Sequence, residues 1–186
     1  PNKKAPLWKY SAVALLSATL CVGVNNLLII GNITTVSEEY QTVMQGFYSA
    51  PLLIQGISLG ILVPICEELV FRGIIFGRLK TMLPQIPAIV VSALIFAAVH
   101  LNIVQFIYAF LLGLVLAILM DRADHVYPAI IGHVTANLIA VLRTETGILA
   151  KTMDKSVFAW VVSVLLMGIG VTVFVLYLKK ESFRDQ

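Results

Sequence analysis

YSAPLLIQGISLGILVPICEELVFRGIIFG, residues 48–77, decides how this chain is read. A helix needs about 20 mainly apolar residues to cross about 30 Å of hydrocarbon, and this stretch has them. Yet it carries Glu67, Glu68 and Arg72. An ionised side chain at the bilayer centre costs about 2.5–3.5 kcal/mol on insertion scales. Glu68 and Arg72 stand four apart on one helical face and can offset that cost by pairing. Glu67 points about 100° away and has no such local partner. A structural ion pair therefore accounts for one carboxylate and leaves the second unexplained.

The rest of the chain is equally apolar. Of 186 residues, 59% are hydrophobic and 12% charged, against about 25% charged in soluble domains; mean hydropathy is +0.94. Six segments have membrane-span character: 10–30, 48–77, 86–101, 104–120, 127–143 and 157–178. The expected fold class is all-α, a polytopic transmembrane helical bundle of about six spans forming a single domain over 1–186. Pro64 is expected to kink or break the second segment. The third is short and nearly continuous with the fourth, as in a tight helical hairpin or a partly re-entrant pair. The connections 31–46, 80–87, 121–125 and 144–156 are polar or proline-bearing and read as loops.

The first apolar run follows Lys3, Lys4 and Lys9 but is too long for a signal-peptide core and is not closed by a small-x-small site. It is read as a retained helix. Lys3, Lys4, Lys9, Arg78, Lys80, Arg122, Lys179, Lys180 and Arg184 fall on one side of a six-span topology, and Arg143, Lys151 and Lys155 on the other. The excess places both termini in the cytoplasm of a multi-pass cell-membrane protein. A net charge of +3, with basic residues at segment ends, suits an anionic lipid surface and not a nucleic acid. Cys21 and Cys66 lie in apolar runs and give no disulfide framework.

Further polar residues interrupt later segments. His100 ends the third, one turn after Phe96, while His133 and Asn137 share a face of the fifth. His125 sits in a charged turn and reads as solvated. At about 1.5 Å per residue, Glu67 lies about 16 Å above Arg78, His100 about 20 Å above Pro87, and His133 and Asn137 about 10 and 16 Å above Val126. Four polar groups from three helices thus reach similar depths and could meet in one wet cavity.

A carboxylate and an imidazole can bind and deprotonate water. A second histidine and an amide can donate to the oxyanion of a tetrahedral intermediate. That is an inventory for amide hydrolysis by activated water, without a protein nucleophile. Cys66 adjoins Glu67, but neighbouring residues on a helix face apart, so a Cys–His pair is disfavoured. Glu67 with two histidines could also hold zinc, although the one-turn H-E-x-x-H spacing is missing. Two further alternatives keep the buried charges: a non-catalytic membrane partner of a kinase or transporter, and an ion or proton pathway.

Glu67-Glu68-Leu69-Val70-Phe71-Arg72 resembles the E-E-x-x-x-R motif of the CPBP family, the CAAX prenyl proteases and bacteriocin-processing enzymes also called Abi. Phe96-Ala97-Ala98-Val99-His100 resembles its F-x-x-x-H motif, and His133-Val134-Thr135-Ala136-Asn137 its H-x-x-x-N motif. The resemblance covers about 50–142, the expected catalytic core. It implies a glutamate-type intramembrane endopeptidase acting on peptide precursors or membrane-protein segments in the lipid bilayer, with a role in bacteriocin or pheromone processing or in self-immunity. It implies that Glu67 and His100 activate water, that His133 and Asn137 form the oxyanion hole, and that Glu68 and Arg72 organise the site. No cofactor is required on that resemblance.

Overall fold

The computed structural model describes residues 7–179. The basic residues Lys3, Lys4, Lys180 and Arg184, used above for orientation, lie outside the described residues. The described chain is an all-α membrane helical bundle: α1 Leu7–Ile30, α2 Glu38–Phe47, α3 Leu52–Leu79, α4 Gln85–Ala98, α5 Ile103–Ala123, α6 Tyr127–Thr146 and α7 Val157–Lys179.

All six apolar segments are helical, but they differ in how readily each crosses a bilayer. Helices α1, α5 and α7 are long and apolar enough to span singly, and α2 with α3 makes a fourth if that bent pair counts as one span. This is fewer than the expected six. With 14 residues, α4 reaches only about 21 Å. Helix α6 is diluted by His133, Asn137, Arg143 and Glu145. The polar residues that mark the candidate site are thus also what lowers the apolar character of its helices.

Lipid gives no hydrophobic drive for one helix to pack on another, so close packing and interhelical hydrogen bonds hold such bundles together. Val13, Leu16, Leu112, Leu116, Leu119, Ala129 and Ala136 form the central core between α1, α5 and α6. Polar ties reinforce it. The Cys21 thiol donates to the Ala136 carbonyl at 3.3 Å, and Arg143 donates to Asn26. Arg143 is 3% exposed and Lys9 2%, so the bundle buries charges besides the Glu68–Arg72 pair, and Arg143 is one that looked like a loop-side residue by position. Helix α7 packs chiefly on α1 and leaves Trp160, Val164, Leu165 and Ile169 facing outward, as a lipid-contacting helix does.

Two local features depart from expectation. Residues 31–46 are not a plain loop, because Glu38–Phe47 is helical. The Ser37 hydroxyl caps it by accepting from the Tyr40 N–H at 3.3 Å, and Glu38 and Glu39 in its first turn favour the positive helix end. It meets α3 at a bend of 110°. Gln55 secures that corner, donating to the Ala50 carbonyl at 2.6 Å and to Glu145 on α6 at 3.0 Å.

The expected break at Pro64 does not occur either. Helix α3 runs through it but widens to π-helix over Ser58–Leu62, just before the proline, and again over Leu69–Phe76. A proline ring clashes with the carbonyl four residues back, and a wider turn relieves that clash without ending the helix.

Candidate active site

Glu67 and Glu68 lie on the short α-helical piece Val63–Glu68, between the two π segments of α3. Consecutive residues there face different ways. Glu68 turns inward and is fully buried, with its Oε1 3.1 Å from Arg72 Nη1, also fully buried. Arg72 has further support. Its Nη2 donates to the Gly113 carbonyl on α5 at 3.1 Å, and its guanidinium lies 4.3 Å from the centre of the Phe96 ring, a cation–π contact. Gly113 permits this approach, since a Cβ there would stand 3.2 Å from Arg72 Nη2 and 3.3 Å from Phe96 Cδ1.

Phe96 is the hub. Its ring meets Phe71, His100 and His133 edge-on, with centroid distances of 5.1, 5.2 and 5.6 Å. The phenylalanine one turn before His100 therefore packs beneath both imidazoles and under the guanidinium.

His100 and His133 each have one ring nitrogen engaged by an acceptor. His100 lies in the turn after α4, and its Nδ1 sits 2.9 Å from the Phe96 carbonyl. A carbonyl only accepts, so Nδ1 carries the proton and Nε2 is left as the basic nitrogen. The next residue, Leu101, has φ of 58°, a left-handed conformation that is strained for leucine. Asn102 donates to the His100 carbonyl at 3.0 Å and caps α5 by accepting from the Gln105 N–H at 2.9 Å. The turn is thus held from both sides.

His133, 3% exposed, lies between the two carboxylates. Its Nδ1 is 2.8 Å from Glu68 Oε1 and its Nε2 is 3.6 Å from Glu67 Oε2. Glu67, without a local partner on its own helix, thus has His133 of α6 as its nearest charged-group neighbour. One turn on, the Asn137 amide donates to the Leu59 carbonyl of α3 at 2.9 Å.

Glu67, His100, His133 and Asn137 all line one cavity of about 430 Å³. The fully buried Glu68 and Arg72 stand behind its wall. Tyr40, Val43, Met44 and Phe47 of α2 form another side. Their i, i+3, i+4, i+7 spacing makes one apolar helix face, the signal that could have found α2 in the sequence. Cys66 is exposed on the outer side of α3 and does not line the cavity. His125 lies apart in the α5–α6 turn, 5.3 Å from Tyr127, where partial burial pushes its imidazole below the usual range. Among the described residues, no three His, Cys, Asp or Glu side chains gather closely enough to hold a metal ion.

A carboxylate facing a cavity of mixed lining, a histidine with a free basic nitrogen, and a second imidazole and an amide beside them can bind water and stabilise developing negative charge. Fold and cavity together define a polytopic membrane protein with a buried Glu/His site. Residues 49–139 match the family described as type II CAAX prenyl endopeptidase Rce1-like, a match that supports the resemblance to the CPBP family. It is 31% identical over 106 residues to a Bacillus subtilis (strain 168) protein named "Putative membrane peptidase YdiL", covering 57% of this chain and 43% of that one. It is 32% identical over 89 residues to the "UPF0177 protein YxdF" of Lactococcus lactis subsp. lactis (strain IL1403), covering 47% and 49%. The chain spans about half the length of the curated relatives it matches. No solved structure matches it significantly.

Proposed function

We propose that this protein is an intramembrane endopeptidase of glutamate type. The observation that carries the proposal is that Glu67, His100, His133 and Asn137, from different parts of the chain, face one cavity. Water held between Glu67 and the Nε2 of His100 loses a proton to that pair as its oxygen attacks the peptide carbonyl. The resulting oxyanion is stabilised by the His133 imidazole and accepts from the free Asn137 N–H. The tetrahedral intermediate collapses, the C–N bond breaks, and the proton passes to the departing amine. Glu68 holds His133 through Nδ1 and is itself neutralised by Arg72.

Substrates on this reading are membrane-associated segments or peptide precursors, with bacteriocin or pheromone processing and self-immunity as biological settings. Support comes from the mixed lining of the cavity, where carboxylate and imidazole groups sit beside Val63, Phe96, Met44 and Phe47. Both termini are proposed to be cytoplasmic, on the excess of basic residues on one side of the chain.

The test is cleavage of a peptide library by purified protein in lipid bicelles, read by mass spectrometry, with Glu67→Gln and His100→Ala as comparators. Equal cleavage by all three proteins would reject the site. Cleavage that survives chelation supports the metal-free route, whereas loss on chelation and recovery with zinc would favour a metallopeptidase.

A further inference from the structure

Pro64 removes an N–H from the middle of α3, and the consequence reaches the cavity. In an uninterrupted α-helix the Leu59 carbonyl would accept from the Val63 N–H. Here the Val63 N–H turns instead to the Ser58 carbonyl, five residues back. The residue five after Leu59 is Pro64, which has no N–H to give. The Leu59 carbonyl is thereby left without a helical donor, and a backbone carbonyl within a membrane helix needs one. Asn137 supplies it, with Nδ2 at 2.9 Å.

The neighbouring pair makes the approach possible. Gly60 is buried, and a Cβ there would stand 2.5 Å from Leu138 Cδ2 and 3.7 Å from its Cα, so a larger residue would displace Leu138 and then press on the α6 backbone. The Asn137 amide has two N–H groups. One is held by Leu59; the planar geometry of the amide then fixes the other, and Asn137 lines the cavity. His133, one turn earlier on α6, has its Nδ1 on Glu68 in the same register.

We infer that Pro64 is a positioning residue for the site. By leaving the Leu59 carbonyl without a backbone donor, it anchors the Asn137 amide, aims the second N–H into the cavity, and holds α6 where His133 sits between Glu67 and Glu68. The catalytic consequence rests on the peptidase reading; the anchoring does not.

The test therefore has two arms. In the first, thermal unfolding is measured for Asn137→Ala, for Pro64→Ala and for the double variant. Asn137→Ala alone lowers the Tm by several degrees, because Leu59 is left unpaired. In the Pro64→Ala background a backbone N–H serves Leu59, and Asn137→Ala lowers the Tm far less. Equal losses in the two backgrounds overturn the proposal.

The second arm is kinetic. Pro64→Ala lowers kcat tenfold or more with KM changed less than twofold. Lactate at position 64, introduced by nonsense suppression, forms an ester without an N–H and restores the kcat of the proline protein. Equal kcat for alanine and lactate overturns the proposal. Should Pro64→Ala fail to fold, Gly60→Val carries methyl groups past the Leu138 side chain onto its Cα, 3.7 Å from the Cβ position, presses α6 away and gives the same loss of kcat at constant KM; an unchanged kcat counts against the proposal. If the unaltered protein cleaves nothing, the peptidase reading fails, while the unfolding arm still decides the anchoring.

Discussion

Replacing Glu68 by alanine tests the interior of the site without replacing a cavity-lining group. Glu68 and Arg72 are both fully buried at 3.1 Å, so the substitution leaves a guanidinium with no carboxylate beside it. Breaking a buried pair from one side costs about 3–5 kcal/mol. Arg72 keeps the Gly113 carbonyl and the Phe96 ring, which places the loss near the lower end, about 3 kcal/mol. His133 Nδ1 also loses its acceptor, adding about 1 kcal/mol. At ~2–4 °C per kcal/mol for a chain of this length, the Tm falls by about 8–16 °C. Glu68→Gln keeps an oxygen for His133 and loses less. Glu68→Leu with Arg72→Met removes both charges and regains most of the stability, since apolar groups of similar volume replace buried pairs at little cost. The assay is thermal unfolding in one detergent, with circular dichroism confirming helix content. A loss below about 1 kcal/mol for Glu68→Ala, the range of an exposed pair, would refute the reasoning, as would a double variant less stable than either single one.

Other perturbations follow from the same contacts. Gly113→Val drives a side chain against Arg72 and Phe96, whose atoms stand 3.2 and 3.3 Å from the Cβ position; overpacking of this kind costs about 1–3 kcal/mol, read as a lower Tm. Phe96→Ala removes the common floor of His100, His133 and Arg72, at about 3–5 kcal/mol and with loss of cleavage, whereas Phe96→Tyr keeps the ring and most of the Tm. Leu101→Gly relieves the left-handed backbone at φ 58° and raises stability by up to about 1 kcal/mol, visible as a Tm gain of a few degrees.

The chemical logic was more legible in the sequence than its geometry. Helix spacing alone pairs Glu68 with Arg72, because residues four apart meet on one face. Counting residues along each apolar segment brings Glu67, His100, His133 and Asn137 to similar depths. The count cannot say which way each helix faces, so it gave Glu67 no partner, whereas His133 of α6 stands 3.6 Å away. It also missed Gly113, whose value lies in an absent side chain, and the link between Arg143 and Asn26, which joins residues remote in sequence. The π segments around Pro64 were hidden because a proline in an apolar run predicts a kink and not a change of helical pitch. The cavity wall formed by α2 was hidden by polar residues on its outer face, although Ser37, Glu38 and Glu39 mark a helix start.

The central claim is that Glu67 and His100 make a water molecule attack a peptide bond, and isotope transfer tests it most directly. A peptide cut in water enriched in oxygen-18 should carry one heavy oxygen in its new C-terminal carboxylate. Glu67→Gln and His100→Ala should each slow that incorporation by about 10²–10⁴-fold, the span of a lost general base, with the Tm nearly unchanged. Undiminished incorporation by either variant would contradict the account, as would a new terminus that acquires no oxygen from water.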